Sequence, residues 1–227
     1  MTDLSTWAGA RCPGNELVRG ASVSLQPLST SHQAALWSEA AAAADGGDAR
    51  LWEYLPYGPF SGEASFAAWL SAHVADPKLR PYAIVPHTTG EAAGTLSLMR
   101  CKQDHGSIEI GHVWFGPSLQ RTSAATAAIY AAAAHAFGPL GHRRLEWKCD
   151  AGNERSRAAA ARLGFTYEGT FRQHMVVKGR NRDTAWFAIT DTDWPAVNAA
   201  FEAWIAPDNS DADGRQIRSL AAFRSDG

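Results

Sequence analysis

Apolar positions recur along this chain with two different periods, and the switches between them mark out its elements. In ASVSLQPL (21–28) apolar and polar residues alternate, which predicts a first strand. HQAALWSEAAAAA follows Ser29, Thr30 and Ser31, which are available as caps, and predicts a helix ending near Asp45-Gly46-Gly47. LWEYLPYGPF (51–60) is aromatic but broken by Pro56, Gly58 and Pro59, so it predicts a loop. SGEASFAAWLSAHVA (61–75) predicts a second helix. Three strands follow, PYAIVPH, AAGTLSLMR and SIEIGHVWF, separated by the turn signals TTGE and KQDHG.

The next unit, FGPSLQRTSAAT, breaks a strand at Gly116-Pro117 and enters an alanine-rich helix that closes near Phe137-Gly138-Pro139. HRRLEWKCD (142–150) predicts a strand, and NERSRAAAARLGF (153–165) a short helix stopped at Gly164, where a left-handed cap suits glycine. EGTFRQHMVVK and RDTAWFAIT flank a KGRN turn and predict a hairpin. DTDWPAVNAAFEAWI (191–205) predicts a last helix with Asp191 or Asp193 as its cap. PDNSDADG reads as a linker, and RQIRSLAAFRS as either a short docking helix or a frayed tail. The order β-α-α-β-β-β-α-β-α-β-β-α predicts one mixed α/β domain over 21–205, with an extension at 1–20 and a tail at 206–227.

Composition narrows the function classes. The chain has 227 residues, 45% apolar and 19% charged, an ordinary globular balance. A net charge of −2 excludes a broad nucleic-acid surface, which needs a basic excess. The three cysteines, Cys12, Cys101 and Cys149, are odd in number and widely spaced, which predicts no disulfide framework. No CxxC or Cys/His cluster points to a metal. With no apolar run of membrane length and no apolar signal core, the expectation is a soluble protein of the reducing cytoplasm.

Candidate chemistry begins at Gln120-Arg121-Thr122-Ser123-Ala124-Ala125-Thr126. Amides at a helix start lack intrahelical partners and the helix dipole is positive there, so an anion is favoured. Taken alone, this window reads more readily as a capped helix, because a phosphate loop usually carries glycine. Asn153 reads as a helix cap and Ser156 as a first-turn polar residue. Strand alternation places Glu109, Gly111, Val113 and Phe115 on one face of 107–115, and Ile108, Ile110, His112 and Trp114 on the other. Glu109 is then a candidate general base or equally a surface carboxylate; His112 has a suitable pKa but falls on the apolar face, as a core histidine would. Cys149 reads as a buried, inert strand cysteine. Trp52, Glu53, Tyr54 and Tyr57 would suit an amine acceptor, or would simply pack the loop. Arg172, His174, Arg180 and Arg182 would suit an acidic acceptor or cofactor phosphates, or be solvated strand charges.

Taken together, the Gln120–Thr126 loop, Asn153-x-x-Ser156, Leu163-Gly164-Phe165, Glu168-Gly169, Gly179-Arg180, Asp183 and Trp194 resemble the GCN5-related N-acetyltransferase (GNAT) superfamily, in particular its Rim-type branch. The resemblance covers roughly residues 20–205. It implies a mixed, mostly antiparallel sheet splayed in the middle and flanked by helices, and acetyl-CoA as co-substrate with no metal. The family loop runs Gln/Arg-x-x-Gly-x-Gly/Ala, so Ser123 stands where glycine is usual; a required positive φ would make that serine costly. The resemblance assigns cofactor contact to Val113, Trp114, Phe115, Gln120, Arg121, Thr122, Ser123, Ala124, Ala125, Thr126, Asn153 and Ser156. Many members carry a tyrosine proton donor at the position of Ala160; by the Rim-type pattern Ser156 takes that role here. Glu109 is the base expected, and Trp52, Glu53, Tyr54 and Tyr57 the acceptor residues. The implied activity is direct acetyl transfer to a primary amine of a small molecule, such as a metabolite, antibiotic or amino-acid-like compound. A protein N-terminal amine is the alternative acceptor, and a non-catalytic acyl-CoA-binding module the alternative class. Homodimers are common in the family.

Overall fold

Burial alternates with the strand period along Arg144–Asp150: Leu145, Trp147 and Cys149 are buried on one face, while Arg144, Glu146, Lys148 and Asp150 leave from the other. The same rule, repeated, builds a sheet with a different cluster of apolar residues on each face. In the computed structural model, residues 3–45, 49–211 and 215–225 are described. Strands β1 (Val18–Arg19), β2 (Val23–Pro27), β3 (Leu79–Pro86), β4 (Gly94–Lys102) and β5 (Ser107–Phe115) form an antiparallel run. The last three strands are β6 (Arg144–Asp150), β7 (Thr166–Val177) and β8 (Arg180–Thr190), and the order across the sheet is β1-β2-β3-β4-β5-β6-β8-β7. Among the described residues, only the β5–β6 pair is parallel.

Helices α1 (Gln33–Asp45) and α2 (Glu63–Ala75) cover one face, where Leu36, Phe66, Leu70, Trp52 and Trp114 form one cluster. On the other face α3 (Ser123–Phe137), α4 (Glu154–Arg162) and α5 (Trp194–Ile205) bury Ile108, Ile110, Leu145, Phe187 and Phe201. Alanine is the strongest helix former, and its small side chain lets α3 lie close to the sheet; Ala127, Ala128, Ala131, Ala132 and Ala136 are all buried. The mixed α/β domain and the hairpin are as the pattern predicts, and the hairpin turn places Lys178 and Gly179 at φ of 49° and 72°. The expected stop of the first helix at Gly46-Gly47 lies outside the described residues.

Two expectations are overturned. The alternation along β5 breaks: Thr95 pairs with Trp114 and Ser97 with Gly111, so His112 and Val113 together oppose Leu96. This is a β-bulge, with His112 left-handed at φ 51°. Past it the faces swap. Val113 and Phe115 join Ile108 and Ile110 against the α3 side, while His112 and Trp114 turn to the face of Glu109 and Gly111. The second correction is a disulfide, Cys12–Cys101, with Cα atoms 5.7 Å apart. Backbone bonds from Ala10 to Gln103 and from Arg11 to Leu140 lay the N-terminal segment across the end of β4, a proximity that a separation of 89 residues conceals. With Cys12 and Cys101 joined, the cysteines no longer point to a reducing compartment.

The tail is docked. Leu220, at the start of α6 (Leu220–Ser225), is buried in the α3-side core, and Arg224 donates to the carbonyls of Ala161 and Arg162. Among the described residues no helix is long and apolar enough to cross a membrane.

Candidate active site

Strands β5 and β6 start together and then part. Their pairing runs from Ser107–Arg144 to Ile110–Trp147, yet the strands continue to Phe115 and Asp150. Beyond the last pair the facing edges have no partner strand, and a cavity of about 580 Å³ opens there. Glu109, Val113, Trp114, Phe115, Gln120, Asn153 and Ser156 all line it, as do Glu53 and Tyr54 from the aromatic loop.

One end of this opening reaches Gln120, in the loop that leads into α3, while Arg121 to Thr126 do not border it. Thr122 caps the helix by accepting from the Ala125 amide at 3.2 Å, and Gln120 donates to the Phe115 carbonyl at 2.9 Å. Among the described residues, the amides of Arg121, Ser123 and Ala124 donate to no protein acceptor. Ser123 is the first helical residue, and the left-handed position in this loop is Arg121, at φ 61°. Serine in place of glycine therefore costs no backbone strain at 123. Thr126 faces inward instead, buried and accepting from Arg162.

At the start of α4, the Asn153 side chain caps the helix by accepting from the Ser156 amide at 3.0 Å. Trp147 donates its indole N–H to Ser156 Oγ at 2.9 Å, which leaves the hydroxyl proton free to be donated. Ala160 is fully buried, so the position of the missing tyrosine does not border the cavity. Cys149 does border it, but burial pushes its thiol pKa up, away from the nucleophilic thiolate.

Glu109 is not a surface carboxylate. It is 4% exposed, and its Oε2 accepts from Arg100 Nη1 and Lys148 Nζ, both at 2.8 Å. Lys148 also pairs with Glu146 at 2.6 Å, and its ammonium lies 3.8 Å from the Trp186 ring centroid. His112, brought to the same wall by the bulge, is stacked on Tyr57 at 5.6 Å. Burial holds its pKa below the usual histidine value, so it is neutral at pH 7, and its Nδ1 is buried without a hydrogen-bond partner.

The acceptor residues expected in the loop divide. Glu53 and Tyr54 border the cavity, and Tyr54 donates to the Gly152 carbonyl at 3.2 Å. Trp52 and Tyr57 do not: Trp52 packs against Trp114 and Phe60, and Tyr57 lies among Trp69, His73 and His112. Gly58 is fixed by this packing, because a Cβ there would stand 2.7 Å from the Trp52 ring. The hairpin tip clamps the loop, with Lys178 Nζ donating to the carbonyls of Trp52 at 2.7 Å and Gly58 at 2.6 Å. Arg100, Lys148 and Trp147 were not singled out from the sequence. The only available signal was that Lys148 sits at a polar-face position of a strand whose partner could not be known.

The chain belongs to the GNAT family: the acetyltransferase (GNAT) domain profile matches residues 23–166. Among solved structures it is similar to a GCN5-related N-acetyltransferase from Brucella melitensis, at 39% identity and TM-score 0.93, covering 98% of this chain and 100% of that one. It is also similar to a GNAT-family protein from Chromobacterium violaceum, at 45% identity and TM-score 0.78, covering 86% and 96%. A Bacillus subtilis (strain 168) protein, YdaF, whose name places it among ribosomal N-acetyltransferases, is 30% identical over 105 residues, 46% of this chain. The chain spans 57% of the length of that relative.

Proposed function

We propose that this protein transfers the acetyl group of acetyl-CoA directly to a primary amine of a small molecule. The observation that carries the reading is the parting of β5 and β6, which opens one cavity bordered by both Glu109 and Ser156. The residues present suit the co-substrate. Free amides at Arg121, Ser123 and Ala124 would take its pyrophosphate at the α3 start, and the unpaired edge of Val113–Phe115 would line its pantetheine arm. Bound there, acetyl-CoA supplies an activated acyl group and a thiolate leaving group.

The protein's own tasks follow from position. Glu109, with Oε1 left for the acceptor, takes the ammonium proton directly or through water. Backbone N–H groups on the β5 edge donate to the developing oxyanion. Ser156, whose oxygen is already engaged by Trp147, donates its hydroxyl proton towards the departing thiolate. Holding both partners in one cavity supplies much of the rate.

The name of YdaF favours a second acceptor, the N-terminal amine of a protein. A panel of small amines and N-terminal peptides, followed by thiol release, decides between them. The small-molecule reading expects turnover with at least one free amine and none with peptides; the reverse result overturns it. Tight acetyl-CoA binding without turnover of any amine would instead indicate a non-catalytic acyl-CoA-binding module.

A further inference from the structure

We infer that the acceptor amine carries a carboxylate, and that Arg182 is the residue that reads it. This rests on the transferase reading above and narrows its substrate class. Arg182 borders the cavity from β8, and strand alternation places it on the face that carries Thr184, Lys148 and Glu109. The other cations deep in that wall are neutralised: Lys148 by Glu109 and Glu146, Arg100 by Glu109. Among the described residues, no carboxylate lies within 4.0 Å of the Arg182 guanidinium, and its Nε is buried without an acceptor. The nearest carboxylate by strand register, Asp150, opposes Thr184 and accepts from the Gly152 amide instead.

In the ion-pair network of this wall Arg100, Lys148 and Arg144 meet Glu109, Glu146 and Glu168, and Arg182 stands outside it. On this half-buried arginine the Nε is closed off from water without an acceptor, which is a cost, and a planar carboxylate would meet the guanidinium through charge-assisted bonds. One guanidinium suits a monoanion better than a phosphate dianion. With Glu109 opposite as the ammonium partner, the cavity matches a zwitterion of the amino-acid type.

The test compares free amino acids with their primary amides as acceptors, and N-acetyl amino acids with N-acetyl amino amides as ligands of the CoA-loaded protein. At least one acid should exceed its amide in kcat/KM, and its acetylated form should bind more tightly, by roughly thirtyfold or more. Arg182→Gln should erase both preferences, and Arg182→Lys should restore part of each. Amides favoured equally or better, or a preference untouched in Arg182→Gln, overturns the inference while the transferase reading stands. Carboxylate-selective binding that depends on Arg182 but comes without thiol release upholds the inference and overturns the transferase reading. Absence of both binding and turnover across the panel overturns the inference as well.

Discussion

Two hydroxyl and carboxylate contacts determine what single side chains can do here. Because Trp147 donates to Ser156 Oγ, the serine hydroxyl is left as a donor, facing Cys149 Sγ and the cavity, so Ser156→Ala should lower kcat by about 10²-fold. The KM for acetyl-CoA should move little, and Trp147→Phe should reproduce part of the kcat loss; a change confined to KM in steady-state kinetics would exclude the donor role. Glu109 and His112 share a wall as rival bases. If Glu109 is the base, Glu109→Gln lowers kcat/KM by about 10²-fold and alters the pH profile, while His112→Phe leaves the profile's shape intact. An altered profile in His112→Phe and an unaltered one in Glu109→Gln would transfer the role. The candidate status of both residues was legible in the sequence, since each has suitable chemistry on the right strand. Their shared face was not, because a bulge is a property of two strands and the alternation of one strand does not reveal it.

At the scale of elements, α3 separates binding from folding. Its first helical position tolerates serine because the left-handed turn is taken by Arg121. Ser123→Glu places a carboxylate where the helix dipole favours it, so thermal stability should hold within about 0.5 kcal/mol. The same charge repels a pyrophosphate, so acetyl-CoA affinity measured by titration should fall at least tenfold; an unchanged affinity would remove the phosphate from this helix start. The α3 and α4 starts were readable because caps and strand-to-helix breaks are local chemistry. The parted β5 and β6 edges were not readable from local pattern, since both strands look complete on their own and only their mutual register shows where pairing stops.

Across the whole molecule, a buried histidine ties stability to pH. His73 is 6% exposed, bonded to Ser97 Oγ at 3.3 Å, and burial with nearby His112 pushes its pKa down to about 4. The unfolded chain binds that proton near pH 6.5, so the contribution is complete above 6.5 and is lost as pH falls towards 4. The loss attributable to His73 reaches at most about 3 kcal/mol. Denaturant melts at pH 7.0 and 4.5 should show a smaller loss in His73→Phe than in the wild type; equal losses would clear His73 of the effect. The order of elements over the whole chain was visible in its hydrophobic periods, while the Cys12–Cys101 link was hidden, because distance along the chain says nothing about which ends meet. The clamp from Lys178 to the loop at Trp52 and Gly58 has a consequence for how such a site can change. The two segments border one cavity from positions more than a hundred residues apart, yet a single ammonium makes them one mechanical part. A new loop grafted between relatives without its matching hairpin tip would leave that ammonium without the two carbonyls it now bridges. The shape of this side of the cavity is therefore inherited as a pair of segments, and its diversification should proceed by their joint replacement.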